Sequence, residues 1–132
     1  MQNRPENLYE EWFRKAQDDE QSIRALMKEK GPPSTICFLS QQMAEKYLKG
    51  FLIFHRKDFL KIHDLLGLET QLIDIEPDIH KIHNDINLLN RYYIETRYPG
   101  EYPEFTYEEA IRAFEAAQRV KKFVTEKIRK IN

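Results

Sequence analysis

The sequence is short of cysteine, glycine and long apolar runs. A single cysteine, Cys37, can form neither an intramolecular disulfide nor a Cys-based zinc site. The four glycines, at positions 31, 50, 67 and 100, are too scattered to build a Gly-rich phosphate loop. The longest apolar runs are only a few residues, such as Phe51-Leu52-Ile53-Phe54, so no membrane span is expected. No apolar stretch accompanies Met1-Gln2-Asn3-Arg4-Pro5-Glu6, so no signal peptide is expected and a cytoplasmic protein is. Gly-x-Ser-x-Gly and His-Glu-x-x-His are both missing. No segment sustains period-two alternation bounded by a hairpin turn, which excludes a recognisable strand.

What is present suits one helical domain over residues 1–132. Hydrophobic residues make up 41% and charged residues 33%, enough apolar material to fill one core but not two at this length. The net charge of −1 hides a segregation: residues 1–60 sum to +1, residues 61–105 to −5 and residues 106–132 to +3. The last block holds Arg119, Lys121, Lys122, Lys127, Arg129 and Lys130. Those cations suit first a solvated helix end that complements the macrodipole, with phosphate contact as the alternative. The near-neutral total does not match a strongly basic DNA-binding domain.

Breakers at Gly31-Pro32-Pro33, Glu76-Pro77 and Tyr98–Pro103 divide the chain, and the apolar spacing between them is helical. The first helix is expected over Leu8–Lys30, on Leu8, Trp12, Ala16, Ile23 and Leu26, with Gly31 as left-handed terminator. The second is expected over Ser34–His55, capped by Ser34, with Cys37, Ala44, Leu48, Phe51 and Phe54 as its stripe and Met43 and Tyr47 beside it. A shorter third helix is expected over His63–Ile75, with Leu65, Leu66, Leu68, Leu72 and Ile75. The fourth is expected over Asp78–Arg97, capped by Asp78, on Ile79, Ile82, Ile86, Leu89 and Tyr93. The fifth opens at Thr106, which has capping-box spacing to Glu109, and runs through Ala110, Phe114, Ala117, Lys121, Val124 and Ile128. The fold class is all-α: an up-down four-helix bundle with an additional short helix.

Polar residues interrupt these stripes. Gln41, Gln42, Glu45, Lys46 and Lys49 sit among core positions of the second helix, and Glu45 and Lys49 form an i,i+4 pair with the acid first. Taken alone they read first as a surface row of ion pairs, with a binding face as the alternative. His63-Asp64 pairs an imidazole with a carboxylate, which suits acid–base chemistry or a simple helix cap. His80 and His83 are three apart on a helix but lack a third ligand in register, so no metal site is expected. Cys37 reads as a small core residue. The densest cluster runs from Asn90 to Tyr102. Within it Asn90, Tyr93 and Arg97 share one helical face, where an amide, a phenol and a guanidinium can read a base edge and a phosphate together. The same three residues also suit pinning of the long loop to the helix end.

Four stretches in order resemble the HEPN family, the "higher eukaryotes and prokaryotes nucleotide-binding" domains. They are Trp12-Phe13-Arg14-Lys15-Ala16-Gln17-Asp18-Asp19, Cys37 through Gly50, Lys61-Ile62-His63-Asp64-Leu65, and Leu89 through Gly100. The resemblance spans about residues 9 to 128. It implies an all-α up-down bundle, often a homodimer, with a polar groove near the subunit contact. It also implies binding of a nucleotide or RNA, and for many members a minimal nucleotidyltransferase partner in a toxin–antitoxin pair. Carried over residue by residue, the family's polar positions fall on Gln41, Glu45, Lys46, Lys49, His63, Asp64, Asn90, Tyr93 and Arg97. No cofactor and no metal are implied. Other members are metal-independent ribonucleases carrying Arg-x4–6-His, but no histidine follows Arg91 or Arg97 in this chain. Without that imidazole the usual base near neutral pH is missing. A ribonuclease would need a substituted set, with His63 as base and Arg97 as phosphate clamp. A ligand-free interaction bundle is the remaining alternative.

Overall fold

The computed structural model describes residues 5–59, 64–95 and 104–131. The elements are α1 (Pro5–Lys28), α2 (Pro33–Phe54), α3 (Leu65–Ile73), a 3-10 helix over Pro77–Ile82, α4 (His83–Asn90), α5 (Tyr92–Glu95) and α6 (Tyr107–Ile131). Among the described residues there is no strand, and the architecture is an all-α bundle. Helix α2 is the central element: α1 packs along one side of it and α6 along another, while α3, α4 and α5 also touch it. Its core positions therefore need apolar residues on most sides. Ile36, Cys37, Met43, Ala44, Leu48, Phe51 and Leu52 are all buried. The lone thiol lies in this core.

The helix ends follow backbone chemistry that the sequence only partly announces. Lys30, not Gly31, takes the left-handed conformation after α1, with φ 52°. The Gly31 N–H then donates to Leu26 O at 2.7 Å and the Lys30 N–H to Met27 O at 3.2 Å, which is the Schellman pattern. Gly31 makes a close approach instead: a Cβ there would lie 2.7 Å from Leu26 Cδ2, the end of a side chain that would have to turn aside. Helix α2 ends the same way, on Arg56 with φ 61°, with Arg56 N donating to Ile53 O and Lys57 N to Leu52 O, both at 2.9 Å. At its start the Ser34 cap is not realised. Pro32 holds the cap position without a side-chain bond, and Pro33 fills the first helical position, where a missing N–H costs nothing. Asp64 does cap α3, accepting from Leu66 N at 2.9 Å.

The expected fourth helix is interrupted twice. Pro77 opens a 3-10 segment, and Ile82 leaves helical geometry at φ −110°, ψ 17° before α4 begins. Asp78 is not its cap; that carboxylate accepts from Lys127 Nζ on α6 at 2.7 Å. Arg91 then separates α4 from α5. The interruption changes the register, so Tyr92 is buried in place of Tyr93. The Tyr92 hydroxyl donates to Glu109 Oε2 at 3.0 Å. Only half of the Thr106 capping box forms as a result. Glu109 N donates to Thr106 Oγ1 at 3.0 Å, while the Glu109 carboxylate turns toward Tyr92 and Arg91. The Tyr107 hydroxyl ties the start of α6 to the end of α1 by donating to Met27 O at 2.7 Å.

Candidate functional site

The polar row of α2 is built on a step of four. Gln41 Nε2 donates to Glu45 Oε1 at 3.2 Å, and Lys49 Nζ donates to Glu45 Oε2 at 2.8 Å. Gln42 Nε2 in turn donates to Gln41 Oε1 at 2.7 Å. The Glu45–Lys49 pair forms as the i,i+4 spacing predicts, but not on the surface: its side chains are 6% and 7% exposed. Helix α1 covers it. The Lys49 ammonium stands 5.5 Å from the Trp12 ring and 4.9 Å from the Phe59 ring, an aromatic enclosure for a buried cation. Trp12 reads from sequence as a plain stripe residue and Phe59 draws no notice at all. Only the fold brings both to Lys49.

Lys46 points to a different partner. Its Nζ donates to Asp19 Oδ2 on α1 at 2.6 Å. Burial pushes the Asp19 carboxyl above its ordinary range, against the hydrogen bond and charge of Lys46. One residue on, Glu20 joins α1 to α6: it accepts from Arg24 Nη2 at 2.9 Å and from Lys121 Nζ on α6 at 2.8 Å. Burial would raise the Glu20 carboxyl, but the Lys121 and Arg24 hydrogen bonds outweigh it and the net shift is downward. Behind them Tyr47 is 1% exposed, and its hydroxyl has no hydrogen-bond partner among the described residues. Burial, with the nearby Glu20 charge, pushes that phenol up and keeps it neutral.

The other predicted residues lie on the elements that pack against α2 after it. Asn90 Oδ1 accepts from Leu65 N at 2.8 Å, so the end of α4 is tied to the start of α3 beside the Asp64 cap. Tyr93 is half-buried on α5, which packs against α2. His63 and Arg97 lie outside the described residues. The structure thus joins Gln41, Glu45 and Lys49 directly, places Lys46 one residue aside, and gathers Asp64, Asn90 and Tyr93 on the elements that follow. The two histidines do not act together. His80 Nδ1 lies 2.9 Å from Pro77 O, while His83 Nδ1 lies 2.9 Å from both carboxylate oxygens of buried Glu69. Among the described residues no three His, Cys, Asp or Glu side chains gather as a metal site would require.

The HEPN domain model matches residues 9–128. This chain belongs to the HEPN family. Two solved structures carry the same HEPN-type bundle. TT1696 from Thermus thermophilus is 29% identical with a TM-score of 0.76, covering 90% of this chain and 97% of its own. ST0689, an archaeal HEPN homologue, is 29% identical with a TM-score of 0.72, covering 91% and 97%. No curated protein matches. Among the described residues of this HEPN chain, no helix is long and apolar enough to cross a membrane.

Proposed function

We propose that this HEPN protein binds the phosphate of a nucleotide or of RNA. It does so as a homodimer acting with a minimal nucleotidyltransferase in a toxin–antitoxin-like pair. The observation that supports this reading is the buried Glu45–Lys49 pair. A well-packed apolar pair of the same volume would hold the helices at least as well, since desolvating two charges offsets most of their attraction. A charge pair kept at that cost favours a task other than stability.

In this reading Arg97 grips the phosphate, and Lys46 and Lys49 supply positive potential behind it. Gln41 and Glu45 hold Lys49 in place. Asn90 has its carbonyl oxygen occupied by Leu65 N, so its amide N–H groups face the sugar or base. Tyr93 stacks or donates a hydrogen bond, and His63 and Asp64 complete the wall. The test is the affinity of ATP and of short RNAs for the full chain and for Arg97→Ala. At least a tenfold loss in the variant is expected; equal affinity, or no binding to either protein, overturns the proposal. The partner is tested by reading the adjacent genes and co-expressing any small nucleotidyltransferase found there. A neighbourhood without one rejects the pairing.

A further inference from the structure

Helices α1 and α6 both pack on α2, and long side chains bridge the space between them. What remains is a hollow of about 470 Å³, open to solvent and away from the α2 row. Its lining includes Glu20, Arg24, Lys121, Lys122, Glu126 and Arg129, four cations against two acids. Glu20 is already saturated by Arg24 and Lys121, at 2.9 and 2.8 Å. The other cations of the C-terminal block divide by role. Arg119 and Lys127 pair with Asp85 and Asp78 on other elements, whereas Lys122 and Arg129 have no ion-pair partner among the described residues. Arg129 sits in the last turn of α6, where the macrodipole alone would favour a cation. Lys122 lies more than two turns before that end and has no such explanation.

From this arrangement we infer that the α1–α6 hollow is a second anion site, built to hold the sugar–phosphate backbone of a single nucleic-acid strand. Lys122 and Arg129 are seven residues apart on one face of α6, about 10.5 Å along its axis. A single strand laid along α6 presents a run of phosphates over that span, so each of the two cations takes its own phosphate. The Glu20 network, two cations on one carboxylate, adds a net charge of +1 to the hollow. Glu126 opposes the ligand from its place between Lys122 and Arg129.

The test is fluorescence anisotropy with a labelled single-stranded RNA of about a dozen nucleotides, at low and moderate salt, on the full chain. Lys122→Glu/Arg129→Glu is expected to weaken RNA binding at least tenfold. It should also make the log–log salt slope shallower by about 1.4, because two phosphates are no longer neutralised. Glu126→Gln is expected to tighten binding. Lys28→Glu/Lys57→Glu, with the same change in net charge outside the hollow, is expected to leave affinity within twofold. Circular dichroism confirms that each variant folds. Equal RNA affinity in wild type and the double hollow variant overturns the inference. So does an equal loss in the control pair, and so does an equal loss of ATP affinity, which would make the site one for free nucleotide phosphates. Arg97→Ala reports on the other site, so the two proposals fail separately.

Discussion

Replacing Lys49 by methionine separates a buried charge pair from a surface one. The substitution keeps the length and most of the volume of the side chain but strands the Glu45 carboxylate, which is nearly fully buried. Breaking a buried pair from one side typically costs about 3–5 kcal/mol, because the remaining charge has lost both water and partner. Two features bear on the figure here. Gln41 still donates to Glu45 Oε1 at 3.2 Å, which softens the loss. The attraction of the ammonium to the Trp12 and Phe59 rings disappears, which adds about 1 kcal/mol. The expected destabilisation is therefore about 3 kcal/mol, or roughly 10 °C in Tm for a domain of this size.

Urea denaturation followed by two probes measures it, with an unchanged m-value as the sign that the native and unfolded ensembles are comparable. The companion variant Glu45→Gln/Lys49→Met removes the stranded charge and keeps an acceptor for Gln41. It is expected to recover to within about 1 kcal/mol of wild type. Glu45→Gln alone, which leaves the buried Lys49 ammonium without its counter-charge, completes the cycle that isolates the coupling between the two sites. A loss below about 0.5 kcal/mol for Lys49→Met alone would mean a solvent-screened pair and would refute the reasoning from burial. If the double variant is stable yet no longer binds nucleotide, the pair is retained for ligand and not for folding.

Three further outcomes follow from the same packing. Gly50→Ala improves helix propensity by up to about 1 kcal/mol. Its Cβ, however, would meet Phe13 Cε1 at 2.6 Å and Trp12 Cβ at 3.2 Å, so net destabilisation of about 1–2 kcal/mol is expected in urea melts, and a stabilised variant would contradict the close α1–α2 approach. Burial holds the His55 imidazole below its ordinary range, with Glu76 pulling the other way. The folded chain then binds fewer protons than the unfolded one just below the unfolded pKa. That stability is present above the unfolded pKa and is lost as pH falls toward the folded value. Urea titrations between about pH 7.5 and about pH 5 should show His55→Gln losing less stability on acidification than wild type, and equal losses would exclude His55 as a source. Asn90→Ala removes the acceptor of Leu65 N and should cost about 1–2 kcal/mol, while Asp64→Ala should cost about 1 kcal/mol as a lost cap. Melts unchanged from wild type would remove the structural role of these two side chains.

Much of the fold was legible because its signals are local. Apolar spacing placed all the long helices, and the buried Ala16, Ile23, Leu48, Phe51, Ile86, Val124 and Ile128 sit where the period puts them. Two of the failures come from competition by distant partners. Asp78 had a capping position in the sequence, but Lys127 took its carboxylate. Glu109 had the reciprocal half of a capping box, but Tyr92 took its side chain. The left-handed residue at the end of α1 moved from glycine to Lys30, and Gly31 took the tight contact with Leu26. The first two are choices between a local hydrogen bond and a tertiary contact, and the chain alone does not state the second option; the Ser34 cap and the unbroken fourth helix were lost to prolines close by, Pro33 and Pro77.

The candidate site was legible in the same unequal way. The pairing of Glu45 with Lys49 follows from i,i+4 geometry, yet the sense in which it matters does not. On an exposed face the pair contributes a few tenths of a kcal/mol; under α1, with two aromatic rings around the ammonium, it becomes a buried charge whose partner cannot be removed cheaply. Lys46, one residue earlier in the turn than Tyr47 and three before Lys49, shares neither partner: it reaches Asp19, twenty-seven positions upstream. Helix α2 therefore divides its charges between two assignments. One lysine is locked inside the bundle and the other stitches α1 to α2 at its edge. A ligand approaching from α4 and α5 would sense the first mainly through its field, while the second can exchange Asp19 for phosphate. Of the two, Lys46→Ala should weaken nucleotide binding with the smaller cost in stability, since its pair is the more exposed.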